Sequence, residues 1–140
     1  MAFTKSLFVA FCLFVLSCSQ KASEIDYTDW SHYGGPEDGS RYSALTQINK
    51  ENVAQLEVAW TYRTGDATER SQIQCQPILV GDLLYGTTPK LNVFALNAAT
   101  GEEVWRFDPF TVFGGENSWA GTNRGVSYWE EGNDKRILFS

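Results

Sequence analysis

The second half of the chain alternates short apolar segments with tight turns, and this spacing restricts the fold more than any other feature. Four segments are rich in branched and aromatic side chains, and turn residues such as Gly81-Asp82 and Thr100-Gly101 separate them. Such segments are typical of β-strands joined by short connections. The predicted strands cover residues 77–80, 83–87, 93–96 and 104–107. The pattern therefore predicts a four-stranded sheet.

Two tryptophans indicate that this sheet belongs to a repeated series. Trp60 and Trp105 each fall in a predicted strand of the same kind and lie 45 residues apart. Propeller repeats of about 40–50 residues each form one four-stranded blade, although a β-sandwich meander has a similar local pattern. A single blade cannot bury both of its faces and needs neighbours. Strands predicted at 125–129 and 136–140 would begin the next blade, so we expect an all-β chain that stops inside a blade.

The segment before the sheet is predicted to contain one helix and one strand. Residues 46–56 have the pattern of a short helix, with Asn49 as its N-cap and with Val53 and Leu56 spaced to face a core. A strand over residues 58–62 is predicted to follow and to end at a turn.

The N-terminus has the features of an export signal. Residues 6–16 are almost wholly apolar, and this run is shorter than the roughly 20 residues that a membrane-spanning helix needs. The run is followed by a small residue and Cys18, which resembles a bacterial lipoprotein cleavage site. We therefore expect residues 1–18 to be a signal peptide, Cys18 to carry lipid, and residues 19–29 to form a tether on the periplasmic side of the membrane. The alternative is an ordinary signal peptide in which Cys18 has no role.

Charge and metal-ligand content exclude several classes of function. The formal net charge is −6 and no basic patch is present, which argues against nucleic acid as a partner. The chain has three Cys and one His, and only Cys75 would remain as a thiol after the signal is removed. These residues do not form the spacing of a zinc or haem site.

The segment from Ala95 to Trp105 carries the most specific motif, with the sequence ALNAATGEEVW. It resembles the tryptophan-docking repeat A-x-D-x-x-T-G-x-x-x-W of pyrroloquinoline quinone (PQQ) dehydrogenases, with Asn97 in place of Asp. In that repeat Thr-Gly makes the turn and the Trp packs between adjacent blades. The resemblance implies the N-terminal part of an eight-bladed β-propeller, with structural roles for Gly101, Trp105 and Trp60.

The resemblance covers residues 30–140 in the order of the family. Residues 30–66 look like the N-terminal region shared by membrane-bound glucose dehydrogenases and the alcohol and methanol quinoproteins. Residues 123–129, NRGVSYW, are similar to the segment whose Arg contacts the quinone. This implies that Arg124 binds the cofactor, since a guanidinium can pair with its carboxylates or quinone oxygens. Gln74 occupies the position of a Glu that contacts a cofactor carboxylate in many relatives, and its amide could donate there.

Ordinary structural roles stay open for both residues: a surface ion pair for Arg124, and an edge amide bonded to backbone for Gln74. The alcohol branch of the family has two adjacent Cys just before the Asn-Arg-Gly segment, whereas this chain has Ala120, Gly121 and Thr122. This difference favours the sugar or polyol branch. The relatives' calcium ligands and catalytic Asp lie in later blades, so no metal ligand and no catalytic residue is expected in this chain.

The resemblance implies an oxidoreductase that oxidises a hydroxyl group of a sugar or polyol with PQQ. Its electrons would pass to a respiratory quinone or cytochrome c, its calcium would bind outside this chain, and a lipid anchor would hold it at the membrane. The chain by itself would be inactive. The alternative is a non-catalytic propeller lipoprotein that scaffolds outer-membrane assembly and uses similar docking repeats. Arg124 in its Asn-Arg-Gly setting distinguishes the two hypotheses, because a scaffold has no need of it.

Overall fold

Antiparallel β-structure dominates the computed structural model, which describes residues 24–114 and 122–140. The first sheet contains, in this order, β1 Ile78–Val80, β2 Leu83–Thr87, β3 Val93–Asn97 and β4 Glu103–Phe107. The second sheet is a hairpin of β5 Ser127–Glu131 and β6 Asp134–Leu138. The helical elements are a 3-10 turn, Val53–Gln55, and a short α-helix, α1, Pro109–Phe113. The predictions of an all-β chain and of a four-stranded sheet are confirmed.

The bounds of the six strands agree with the predicted ones to within two residues. β1 begins one residue later than predicted because Pro77 has no N–H to donate to a ladder. The second hairpin is shifted by two residues on each strand. Its register pairs Glu131 with Asp134, so the turn is the two-residue Gly132-Asn133, where Gly132 has φ 59°. Glycine adopts that left-handed conformation without the strain that a Cβ would cause.

The helix predicted over 46–56 is wrong, and only the 3-10 turn forms there. Side chains bond the local backbone instead: Asn49 Oδ1 accepts from Glu51 N at 3.0 Å, and Asn52 Oδ1 accepts from Asn49 N at 2.8 Å. Such bonds compete with the helical ladder. Val53 and Leu56 are 51% and 57% exposed, so they contribute no buried helix face.

The two faces of the first sheet are covered by different parts of the chain. The front face, which includes Ile78, Tyr85, Val93 and Ala95, forms the core together with Val126. Partly buried side chains complete this layer, among them Val80, Leu83, Phe107, Tyr128 and Ile137. Since Tyr128 and Ile137 pair across β5 and β6, the hairpin packs against the front face.

On the back face, Trp60 lies against the turn that joins β3 and β4. Its Nε1 donates to the carbonyl of Ala98 at 3.0 Å, and a Cβ built on Gly101 would come within 2.5 Å of its ring. The turn itself is held by Asn97, whose Oδ1 accepts from the backbone N of Ala99 and Thr100 at 3.0 and 3.1 Å. Trp60 therefore docks on the Thr-Gly turn of the first sheet.

The strand predicted over 58–62 is also wrong, because these residues form no ladder with any described residue. The equivalence of Trp60 and Trp105 as strand residues therefore does not hold. Trp105 lies in β4 on the front face, with its ring centroid 5.9 Å from that of Tyr85, and it is 37% exposed. Trp60 and Trp105 thus lie on opposite faces of one sheet.

Helix α1 was not predicted, although its start has a clear local signal. Asp108 Oδ1 accepts from Phe110 N at 2.9 Å and from Thr111 N at 3.3 Å, and Pro109 occupies the first turn. Both are typical of a helix N-terminus. Within residues 24–114 and 122–140, none of the helices has the length and apolar character needed to cross a membrane.

Candidate functional site

The two predicted cofactor-binding residues lie on adjoining backbone segments at one end of the first sheet. Gln76 and Gly125 form a parallel β-bridge, and Gln76 N donates to the carbonyl of Arg124 at 3.0 Å. Gln74 is two residues before that bridge and Arg124 is next to it. Both side chains are exposed. Tertiary structure thus places on adjoining segments two residues that are 50 positions apart.

Asn123 forms the hydrogen-bonded base of this site. It is 6% exposed, and its Oδ1 accepts from Gly125 N at 2.8 Å and from Thr87 Oγ1 at 3.4 Å. Its Nδ2 donates to the carbonyl of Ser140 at 2.7 Å. One buried amide therefore connects the end of β2, the turn that carries Arg124, and the backbone that follows β6.

Cys75 connects the Gln74 segment to the same sheet end. Its Sγ accepts from the backbone N of Thr87 at 3.3 Å, and the residue is a free, partly buried cysteine. Gln74 thus precedes two fixed residues. Cys75 is bonded to β2, and Gln76 is bonded to the Arg124 segment. The backbone around both candidates is anchored, while their side chains extend to the surface.

The donors at this sheet end suit an anionic, oxygen-rich ligand. Arg124 offers a planar guanidinium that can form two parallel bonds to a carboxylate, and Gln74 offers an amide that can donate or accept. PQQ, with three carboxylates and an ortho-quinone, fits this donor set. No group of three or more His, Cys, Asp or Glu side chains that could hold a metal ion occurs in the described part of the chain.

Comparison with known proteins identifies the family of this chain. The family model described as "PQQ: Glucose/ethanol/alcohol dehydrogenase, beta-propeller domain" matches residues 30–140. The chain belongs to the PQQ-dependent quinoprotein dehydrogenases. Quinoprotein glucose dehydrogenase of Escherichia coli (strain K12) is 40% identical over 117 residues, which is 80% of this chain and 15% of that protein. Quinate/shikimate dehydrogenase (quinone) of Acinetobacter baylyi is 38% identical over 106 residues, 73% of this chain and 13% of that protein.

A solved structure supports the same assignment of the fold. The quinohemoprotein alcohol dehydrogenase ADHIIG of Pseudomonas putida HK5 superposes with a TM-score of 0.54 at 35% identity, covering 61% of this chain and 12% of that one. The quinoprotein propeller fold predicted from the docking repeat is therefore confirmed. This quinoprotein dehydrogenase chain spans about one seventh of the length of the relatives it matches.

Sequence reasoning missed Asn123 and Thr87 as parts of the site of this quinoprotein. Asn directly before Arg-Gly is a residue type that bonds its own turn backbone, and this was the available signal. The link from Asn123 to Thr87 spans 36 residues and has no local signal. Of the other predictions, Cys18 and the positions Ala120 and Gly121 lie outside the described residues.

Proposed function

We propose that this chain is the N-terminal part of a dehydrogenase that oxidises a hydroxyl group of a sugar or polyol with bound PQQ. When bound, the quinone takes up the two electrons released by the oxidation. The observation that carries the proposal is the pairing of the Arg124 and Gln74 segments at one sheet end, through the bridge between Gln76 and Gly125. We also propose that these electrons then pass to a respiratory quinone or cytochrome c. Calcium, as the family resemblance implies, would bind to residues of later blades.

Arg124 and Gln74 have distinct roles in this proposal. The guanidinium of Arg124 binds a cofactor carboxylate or quinone oxygen, and its permanent charge stabilises negative charge that develops on that oxygen. The amide NH₂ of Gln74 donates to a carboxylate, which it can do at any pH in the physiological range. Anchored backbone on both segments keeps these donors oriented before the cofactor binds.

The sharpest test replaces Arg124 in the full-length enzyme, the longer protein to which we propose this chain belongs. Arg124→Ala should weaken PQQ binding by about 2–5 kcal/mol, because it removes one partner of a charge-assisted contact. Arg124→Lys should restore only part of this loss, since lysine lacks the planar fork. Titration of the apoenzyme with PQQ, followed by absorbance, measures both effects.

Arg136 provides the matched control. It is an exposed arginine that pairs with Asp134 at 2.5 Å on the second hairpin. Arg136→Ala should leave PQQ affinity unchanged. Equal affinities in the wild type and the Arg124→Ala variant would show that Arg124 is a surface residue without a cofactor role.

Sugar or polyol specificity rests on the absence of the adjacent cysteine pair that the alcohol branch carries at the position of residues 120–122. The relatives act, by their names, on substrates that include glucose, glycerol, quinate or shikimate, and alcohol. A panel of these substrates, assayed with the PQQ-loaded enzyme and an artificial electron acceptor, tests the proposal. Faster turnover of simple alcohols than of sugars and polyols would contradict it.

We also propose that Cys18 is the lipidated N-terminus of the mature protein on the periplasmic side of a bacterial membrane. A short apolar run followed by a small residue and cysteine supports this. Cys18→Ser should release the protein from membranes or block its maturation, and metabolic labelling with a fatty acid should mark only the wild type. The scaffold lipoprotein hypothesis gains no support from the relatives above, which are dehydrogenases by name.

A further inference from the structure

Asn123 is unusual among the described residues because it is a buried polar side chain that bonds three separate segments. Only Thr87, Thr88 and Asn123 are both polar and buried in the described part of the chain. Asn123 bonds the turn at Gly125, the strand end at Thr87 and the backbone at Ser140, at 2.8, 3.4 and 2.7 Å. Burial of an amide is costly unless its donors and acceptors are bonded, and here both ends are.

One of these bonds and a bond from Gln76 act on the same peptide group, the one that joins Arg124 to Gly125. Asn123 Oδ1 holds the N–H that follows Arg124, and Gln76 N donates to the Arg124 carbonyl at 3.0 Å. The peptide group between Arg124 and Gly125 is therefore bonded at both its carbonyl and its N–H. With this peptide group held, the exposed side chain of Arg124 starts from a defined point at the sheet end, on a segment that is bridged to the one carrying Gln74.

We infer that Asn123 is the positioning residue for Arg124: it sets the place of the guanidinium relative to Gln74 and thereby the affinity for the anionic cofactor. This inference rests on the proposed function, because it concerns the same cofactor. Asn123 acts through Arg124 and does not itself contact the ligand. A donor that is held in place before binding loses less conformational freedom on binding, and this raises affinity.

The test compares two asparagines at opposite ends of the first sheet in the full-length apoenzyme. Asn123→Ala should weaken PQQ binding about tenfold, because it removes the buried hydrogen bond that holds the backbone next to Arg124. Asn97→Ala is the matched control, since Asn97 also bonds two backbone N–H groups of a turn but lies at the other end of β3. Asn97→Ala should lower the thermal unfolding midpoint and leave PQQ affinity as in the wild type.

A double-mutant cycle then shows whether the effect passes through Arg124. In the Arg124→Ala background, Asn123→Ala should cause no further loss of PQQ affinity, because the guanidinium that it positions is already gone. If Asn123→Ala does not fold, Thr87→Val is the milder variant, since it removes one donor to Asn123 and keeps the branched shape. It should weaken PQQ binding about twofold to threefold, and an additive effect with Arg124→Ala would overturn the inference.

The outcomes separate this inference from the proposal beneath it. If the wild type binds PQQ and Arg124→Ala weakens binding, the proposed function stands. An Asn123→Ala variant that then binds PQQ like the wild type, with only a lower unfolding midpoint, would show Asn123 to be purely structural and would overturn the inference. If the calcium-supplied wild type fails to bind PQQ, the proposed function fails and the inference fails with it.

Discussion

Gly101 lies beneath the indole ring of Trp60 and has a left-handed backbone, with φ 74°. Both conditions require glycine, because a Cβ would come within 2.5 Å of the ring and the conformation is unfavourable for other residues. Gly101→Ala should therefore lower the free energy of unfolding by about 2–4 kcal/mol, through backbone strain and displacement of the ring. Equilibrium denaturation of the full-length enzyme measures the change.

Gly81 separates these two causes. It has φ 58°, and a Cβ there would meet nothing within 4 Å. Gly81→Ala should lower the free energy of unfolding only by the backbone strain, about 1 kcal/mol. If both substitutions lower the free energy of unfolding by the same amount, the contact between Gly101 and Trp60 does not stabilise the protein.

At the scale of elements, a polar cluster fastens the segment after Trp60 to β4. Tyr62 donates its hydroxyl to Glu103 Oε2, and Arg106 donates to Tyr62 Oη at 2.7 Å and to the Thr64 carbonyl at 3.0 Å. The ring of Tyr62 also packs 5.0 Å from that of Phe94, between centroids. The segment is held by side chains, and so it stays on the back face without joining the ladder.

This cluster makes the stability of the segment depend on pH. The hydrogen bond from Tyr62, followed by those from Arg106, lowers the pKa of Glu103 below its usual value of 4.5. A lowered pKa means that the stabilisation is present above pH 4.5 and is lost as the pH falls through the folded-state pKa. Unfolding midpoints measured between pH 3 and 6 should show this loss in the wild type and less of it in Glu103→Gln. Identical pH profiles would contradict the role of Glu103.

At the scale of the whole molecule, the outer face of the second hairpin exposes two large apolar side chains among polar ones. Tyr128 and Ile137 pack inward. Trp129 and Leu138, which alternate with them along the strands, are 40% and 51% exposed. Val104 on β4 is 55% exposed. In a propeller such surfaces are covered by neighbouring blades.

Residues 19–140 expressed alone should therefore bind a hydrophobic dye such as ANS and associate with themselves as their concentration rises. The full-length enzyme should do neither to the same extent. Replacing both Trp129 and Leu138 with Ser should reduce dye binding by the isolated chain. A monomeric isolated chain with a cooperative thermal transition and no dye binding would contradict this prediction.

The strands, their turns and the family could be read from the sequence because each depends on residues that are close together in the chain. The turn at Thr100-Gly101 and the apolar segments around it act over a few positions, and the predicted bounds differ from the observed ones by at most two residues. Arg124 could be selected as a candidate for a similar reason, since its motif is a short continuous run. The sequence by itself thus determined the type of sheet and the candidate binding residue.

Only the tertiary structure decided which residues meet. The helix predicted over 46–56 and the strand predicted over 58–62 failed because local side-chain bonds and distant partners outweighed local propensity. Trp60 bonds a carbonyl 38 residues away, and Asn123 bonds a hydroxyl 36 residues away. Such contacts depend on how separate segments pack, and no local pattern encodes that packing. The segments that carry Gln74 and Arg124 adjoin for the same reason, because the bridge between Gln76 and Gly125 joins parts of the chain that are far apart in sequence.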